Sequence, residues 1–284
     1  MSAVALAFCS AFLFGAMTVV LRFALRRSPG AEVGALATTV TALAVALVAL
    51  AIQPPGSADS GGLVLFFIVG MLAPGGSQLL FTMAVRDVGP SRTSVVVGAA
   101  PLISVVIAIV VLGEPAEAAL IVGALLVVVG GILLVFERSR PAHYRMIGLA
   151  FALAGATLFA IRDNVVRWAS SGTAVQPIPG ATAALLGGSV VILAYLLVLG
   201  RRSTLRRSLP FVPVGVLFGL SYLSLFEAYY RGRVTVVSPI VATESLWGVL
   251  LAAIFIGRSE RIGLRLVAGA ICIVAGGALI AVVR

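Results

Sequence analysis

Of the 284 residues, 61% are apolar and only 11% are charged, which excludes a water-soluble globular protein. The formal charge of +10 comes from arginines set singly or in pairs at the ends of apolar runs, so it excludes the basic face that a nucleic-acid binder needs. Cys9 and Cys272 lie inside apolar runs and the single histidine, His143, lies in a loop, so no disulfide framework, metal or other cofactor is expected.

A bilayer core about 30 Å thick requires roughly 20 mainly apolar residues per spanning helix. Ten such runs are expected, at residues 3–25, 33–52, 63–85, 91–112, 116–136, 146–169, 180–199, 211–230, 234–256 and 262–283. The first is a retained helix rather than a signal peptide, because Arg22, Arg26 and Arg27 follow the run instead of preceding it. In the third, Pro74, Gly75 and Gly76 precede Ser77, Gln78 and Thr82; a proline here kinks the helix and frees backbone carbonyls. Such backbone at membrane depth is either buried in protein or lines a water-filled cavity. Pro101 in the fourth run and Pro239 at the start of the ninth predict two further kinks.

The sixth run carries a polar patch of Arg162, Asp163, Asn164 and Arg167. Asp163 and Arg167 have the i,i+4 spacing of a helical ion pair. That leaves Arg162 and Asn164 to face a cavity, where a guanidinium grips a carboxylate or phosphate through two hydrogen bonds. Tyr222, Tyr229 and Tyr230 of the eighth run either line that cavity or anchor the helix at the interface. Glu227 either joins the site or pairs with Arg231 at the membrane edge.

Glu244 sits near the middle of the ninth run, with Ile240, Trp247 and Gly248 one turn away. An ionised side chain at mid-bilayer costs about 2.5–3.5 kcal/mol on insertion scales, so those retained are paired or face water. Glu244 therefore reads as a group that binds a substrate amine or takes up a coupling proton. The bland alternative is a buried partner for an arginine such as Arg162. Gly123 and Gly130 in the fifth run, and Gly269 and Gly276 in the tenth, predict a packing seam between those helices or between the protomers of a homodimer.

The two halves match at an offset of about 145 residues. Leu13, Phe14, Val20, Arg22, Phe23 and Ala24 align with Leu158, Phe159, Val165, Arg167, Trp168 and Ala169. Gly75, Ser77, Leu79 and Ala84 align with Gly219, Ser221, Leu223 and Ala228. An odd number of helices per unit inserts the second copy from the opposite side. Loop charge agrees: the arginine-rich loop after the first run corresponds to uncharged 171–179, while 53–62, with only Asp59, corresponds to a loop carrying Arg201, Arg202, Arg206 and Arg207. Glu114 and Glu117 likewise correspond to a stretch with Arg258, Arg261 and Arg265.

Ten helices in two units of five, Ala84 to Gly89 closing the third, and Leu112, Gly113 and Glu114 closing the fourth resemble the EamA-type transporters of the drug/metabolite transporter superfamily. The second half keeps the pattern in part, with Glu244 followed by Ser245 and Gly257 followed by Arg258. The resemblance implies export of amino acids, drugs or metabolites, or carriage of sugars or nucleotide precursors. It also implies cytoplasmic termini, whereas the arginine bias places both termini outside.

The expected fold is an all-α polytopic membrane protein, ten transmembrane helices as two inverted five-helix repeats at residues 1–140 and 141–284. The expected function is secondary transport, in the export direction, of a small polar or amphipathic metabolite by alternating access around a midplane cavity. Its partners would be a small-molecule substrate, the lipid bilayer of a bacterial inner membrane and a coupling proton. The residues expected to bind or couple are Glu244, Arg162, Asn164, Gln78, Trp247, Tyr222 and Glu227. A membrane enzyme handling lipid-linked substrates lacks a nucleophile set or phosphate loop here. A non-transporting scaffold or receptor would have no need of mid-membrane charge.

Overall fold

The computed structural model describes residues 2–55, 59–100, 145–200, 205–232, 234–256 and 264–282, with isolated positions between 103 and 133. Pro101, Glu114, Glu117, His143, Arg201, Arg202, Arg258 and Arg261, and most of the expected fifth run, lie outside the described residues. The helices are α1 (Ala3–Arg27), α2 (Ala31–Ile52), α3 (Ser60–Gly70), α4 (Ser77–Val88), α5 (Pro90–Val97), α6 (Ile147–Gly172), α7 (Pro177–Val198), α8 (Val212–Arg231), α9 (Val234–Ala242), α10 (Glu244–Phe255) and α11 (Leu264–Val282). Among the described residues, six stretches are long and apolar enough to cross a membrane unaided: α1, α2, Ser60–Val88, Ile147–Ser170, α7 and Arg206–Arg231.

Local chemistry sets the helix ends. The Ser2 hydroxyl accepts from the Ala5 amide at 3.2 Å to start α1, and Pro90 and Pro177 open α5 and α7 where a helix needs no N–H donor. Gly89 joins α4 to α5 at φ 87°, a left-handed turn that a side chain would strain. Asp59 caps α3 by accepting from the Gly62 amide at 2.9 Å, and its second oxygen accepts from the Ala174 amide at 3.0 Å. One carboxylate thus clips the loop after α2 to the loop after α6. These two backbone donors hold the Asp59 carboxyl below its usual range.

The expected third span is a broken rod. Between α3 and α4, Met71–Gly76 forms a π-helical turn, with Ala73 in extended backbone at φ −143° and ψ 107° ahead of Pro74. The ninth span also breaks, at Thr243, where the Thr243 amide bonds the Ile240 carbonyl three residues back and the Trp247 amide resumes α-helical pairing with Thr243. The fourth span does the same one repeat earlier: Ala99 bonds Val96, then Ile103 bonds Ala99. Shifted by 144 residues, the two pairs of bonds coincide. The repeat is therefore present in backbone conformation as well as in side chains.

The halves interlock. The α1 helix packs on α8 and α4 packs on α6, so the third span of each repeat lies against the first span of the other; α2 meets α8 and α3 meets α7 in the same crossed manner. Small residues make this possible. A Cβ on Gly70 would overlap the Ala184 carbonyl oxygen, one on Gly187 would overlap that of Phe67, and Gly215 and Gly219 seat α8 against Thr41 and Ala42 of α2. Gly269 of α11 faces the Gly130 carbonyl, the seam expected between the fifth and tenth spans. Apolar side chains such as Leu47, Val48, Ile52, Val198 and Leu264 point outward, as a lipid solvent requires.

Helix alternation puts Arg22, Arg26, Arg27, Arg86, Arg92, Arg145, Arg206 and Arg207 toward one membrane face. Asp59 and the Glu227–Arg231 pair lie toward the other.

Gly70→Ala should destabilise the purified protein by about 1–3 kcal/mol through overpacking, while Gly172→Ala, where a Cβ meets nothing within 4 Å, should leave the thermal midpoint in detergent unchanged. Asp59→Asn should lower that midpoint at neutral pH. Because the folded carboxyl titrates below its unfolded value, its contribution is complete above the unfolded pKa and lost as pH falls through the folded one. The two melting curves should therefore converge in acid.

Candidate functional site

The site is built where the interlocked first and third spans meet the broken ninth. Arg162 and Asp163 on α6, Tyr222 and Tyr229 on α8, Ser10 on α1 and Glu244 at the head of α10 line one cavity, with Phe14, Phe159 and Phe218 on its apolar side. Its volume is about 30 Å³, room for about one or two water molecules. The structure is thus contracted around its polar cluster and too tight for a metabolite.

Arg162 and Asp163 form a buried ion pair, Nη2 to Oδ1 at 2.7 Å and Nε to the same oxygen at 2.9 Å. The guanidinium also lies over the rings of Phe159, at 5.0 Å, and Tyr222, at 5.3 Å. This replaces the Asp163–Arg167 pair that the i,i+4 spacing predicts. That spacing rule describes solvated helix surfaces, whereas here Asp163 turns into a cavity whose near cation is Arg162. Arg167 instead donates from Nη1 to the Tyr229 carbonyl at 3.3 Å.

Tyr222 is held by the kink in the third span. Ala73 leaves helical geometry, and the Tyr222 hydroxyl donates to its carbonyl at 3.3 Å. Tyr229 exchanges a hydrogen bond with Ser238 of α9 at 3.1 Å and also interacts with Asp163. Ser221 donates to the Ser10 carbonyl at 2.9 Å, tying α8 to α1 beside the cavity. Glu244 is 9% exposed, and among the described residues no hydrogen bond or ion pair reaches its carboxylate. Among the described residues, the other two charges of the cavity, Arg162 and Asp163, are paired with each other.

The remaining expected residues are placed differently. Asn164 lies outside the cavity, donating to Ser104 of the fourth span and to the Ala160 carbonyl at 2.9 Å. Gln78 is wholly buried in α4, with neither amide atom hydrogen-bonded. Trp247 packs edge-on to Phe12 at 5.3 Å, closely against Gly15, and lines an apolar groove with Phe8 and Ile271 that opens toward lipid. Glu227 pairs with Arg231 at 2.7 Å near the membrane edge. Sequence reasoning passed over Ser10 and Ser238, which are ordinary helix serines until packing brings them to the cavity, and placed Asp163 outside it.

Among the described residues, the charged chemistry of the cavity comes from one repeat. The counterparts of Arg162, Asp163 and Glu244 in the first repeat are Met17, Thr18 and Ala100, and Ala100 lines the same cavity.

The chain belongs to the EamA-like transporter family, whose model matches it twice, over residues 1–136 and 146–282. It is therefore a multi-pass membrane transporter of the drug/metabolite transporter superfamily, not an enzyme, with the ten-helix fold of two repeats. A solved structure described only as "Crystal structure of protein" shares the fold at a TM-score of 0.70 and 18% identity, over 98% of this chain and 95% of that one. No curated protein matches the chain.

Removing one member of the buried pair strands the other. Asp163→Ala should cost about 3–5 kcal/mol of stability, whereas Arg162→Met with Asp163→Leu should recover most of it. Thermal unfolding of the three proteins in one detergent checks this, and an undiminished midpoint for Asp163→Ala would count against the pair.

Proposed function

We propose that this protein is a secondary transporter that carries a small polar or amphipathic metabolite, in the export direction, by alternating access around the cavity between α1, α6, α8 and α10. The observation that carries the reading is Glu244: a carboxylate buried at membrane depth that makes no hydrogen bond or ion pair among the described residues, in a cavity where the nearby charges, Arg162 and Asp163, are paired with each other. A buried unpaired anion is unfavourable, so it supports a group that spends part of the cycle bound to a cation.

That cation is a substrate ammonium or a proton exchanged for it. The aromatic walls of Phe14, Phe159, Phe218 and Tyr222 suit the apolar part of an amphipathic substrate. The arginine-rich face is read as cytoplasmic.

Purified protein screened by thermal shift against amino acids, nucleosides, sugars, polyamines and cationic drugs should be stabilised by at least one class. A ligand at 100 times its Kd contributes about 2.7 kcal/mol. Glu244→Gln should fold normally, lose that shift for an amine ligand, and in proteoliposomes lose both uptake and its response to an imposed pH gradient. Full transport by Glu244→Gln would remove Glu244 from the mechanism. A screen without any shift would count against a small-metabolite substrate.

A further inference from the structure

Two arginines that the site does not use occupy equivalent places in the two repeats and make equivalent bonds at opposite membrane faces. Arg22, near the end of α1, donates from Nη1 to the Val85 carbonyl at 3.3 Å and the Arg86 carbonyl at 3.1 Å, in the last turn of α4. Arg167, toward the end of α6, donates from Nη1 to the Tyr229 carbonyl at 3.3 Å, in the last turn of α8. The offset that aligns Arg22 with Arg167 aligns Val85 and Arg86 with Tyr229 and Tyr230 to within one residue. In each case the first span of a repeat caps carbonyls at the end of its own third span. The last four carbonyls of a helix have no donor within it, and the helix dipole favours a cation there, so each arginine reaches a carbonyl of that kind, Arg86 or Tyr229, while the Val85 carbonyl that Arg22 also contacts accepts from the Gly89 amide as well.

Their order along the membrane normal gives the contacts a role. The α1 and α4 helices run toward the arginine-rich face, while α6 and α8 run toward the opposite one. Starting from that opposite face, the sequence of layers is the Arg167–Tyr229 contact, then the polar cavity, then a plug of Phe14, Phe81, Phe159 and Phe218 with centroids 5.1–6.5 Å apart, then the Arg22 contact. The Arg22 contact is reinforced by the Arg145 amide, which donates to the Asp87 carbonyl at 2.9 Å and ties the linker between repeats to the same helix end. Tyr229 belongs both to the contact on its side and to the cavity wall, and its hydroxyl bonds Ser238 of α9. Both arginine contacts are made at once, and the cavity between them is contracted to about 30 Å³.

The geometry points to Arg22 and Arg167 as a symmetry-related pair of gating residues: Arg22 latches the arginine-rich side of the cavity, Arg167 latches the opposite side, and transport releases one at a time. This rests on the alternating-access reading. The two are positioning residues that act through the helix ends they hold, and neither touches substrate.

The test is sidedness. A Leu225→Cys reporter on the cavity wall, in a Cys9→Ser, Cys272→Ser background, is labelled in oriented vesicles with a membrane-impermeant maleimide applied to one face at a time. Arg22→Gln should raise the labelling rate from the arginine-rich face alone, and Arg167→Gln from the opposite face alone, each about tenfold, the weight of one charged hydrogen bond. Arg22→Lys and Arg167→Lys keep the charge and should give smaller increases from the same faces, which covers a glutamine variant that folds poorly. Equal increases from both faces, increases from the same face for both arginines, or no increase would overturn the latches. No substrate is needed for labelling, so one-sided increases in a protein that transports nothing would keep the latches and sink the transport reading. Substrate transport with unchanged labelling would do the reverse.

Discussion

Inside a bilayer no water is available to satisfy a backbone carbonyl, and this constraint organises the molecule more than any single side chain. The third, fourth and ninth spans all depart from α-helical pairing at membrane depth. Each departure leaves polar backbone that lipid cannot serve. The Ala73 carbonyl is taken by Tyr222, and the Thr243 break is served by local bonds from Thr243 and Ser245 hydroxyls to the Ile240 and Ala242 carbonyls, at 2.6 and 2.8 Å. The helix ends are served by Arg22 and Arg167. Satisfying the backbone therefore recruits the tyrosines and arginines that surround the cavity.

The same requirement explains the crossed packing. A break at membrane depth is tolerable only where protein covers it, and the glycine seams bring α7 close enough to cover the kink at Met71–Gly76. Gly75 and Gly188 face each other there backbone to backbone, with the Pro74 ring also against Gly188. The uninterrupted α2 is the least buried of the six long apolar stretches, showing residues such as Leu47 and Val48 to lipid.

Much of this was legible in the sequence because it is carried by composition and repetition. Apolar run length announced the spans, Pro74 with two glycines announced the kink, and the recurrence of arginine at 22 and 167 announced the repeat. Glu244 stood out because an isolated carboxylate in an apolar run is rare. What could not be read was side-chain direction. The i,i+4 rule paired Asp163 with Arg167, but it assumes that neighbouring turns compete only with solvent, whereas an open carbonyl on α8 claims Arg167. Trp247 lies one turn from Glu244, yet α1 packs between their directions and takes the indole onto Phe12 and Gly15, away from the cavity. Pro101 and Pro239 announced irregularity in the fourth and ninth spans, but the matching positions of the breaks, Ala99 and Thr243, became visible only through their backbone bonds.

Symmetry of backbone and asymmetry of charge together limit how such a site can work. If exchanging the conformations of two inverted repeats converts one end state into the other, the scaffold treats both sides of the membrane alike. The polar groups that line the cavity do not. Arg162, Asp163, Tyr222, Tyr229 and Glu244 all belong to the second repeat, whereas Ser10, Phe14 and Ala100 from the first contribute one hydroxyl and apolar surface. Polar recognition can then stay with one repeat through the cycle while the less polar wall of the other slides past it. Moving an apolar wall breaks no ion pair in low dielectric, where a stranded charge is expensive. Because Arg162 and Asp163 are neighbours on α6, their ion pair travels with that helix however the repeats move.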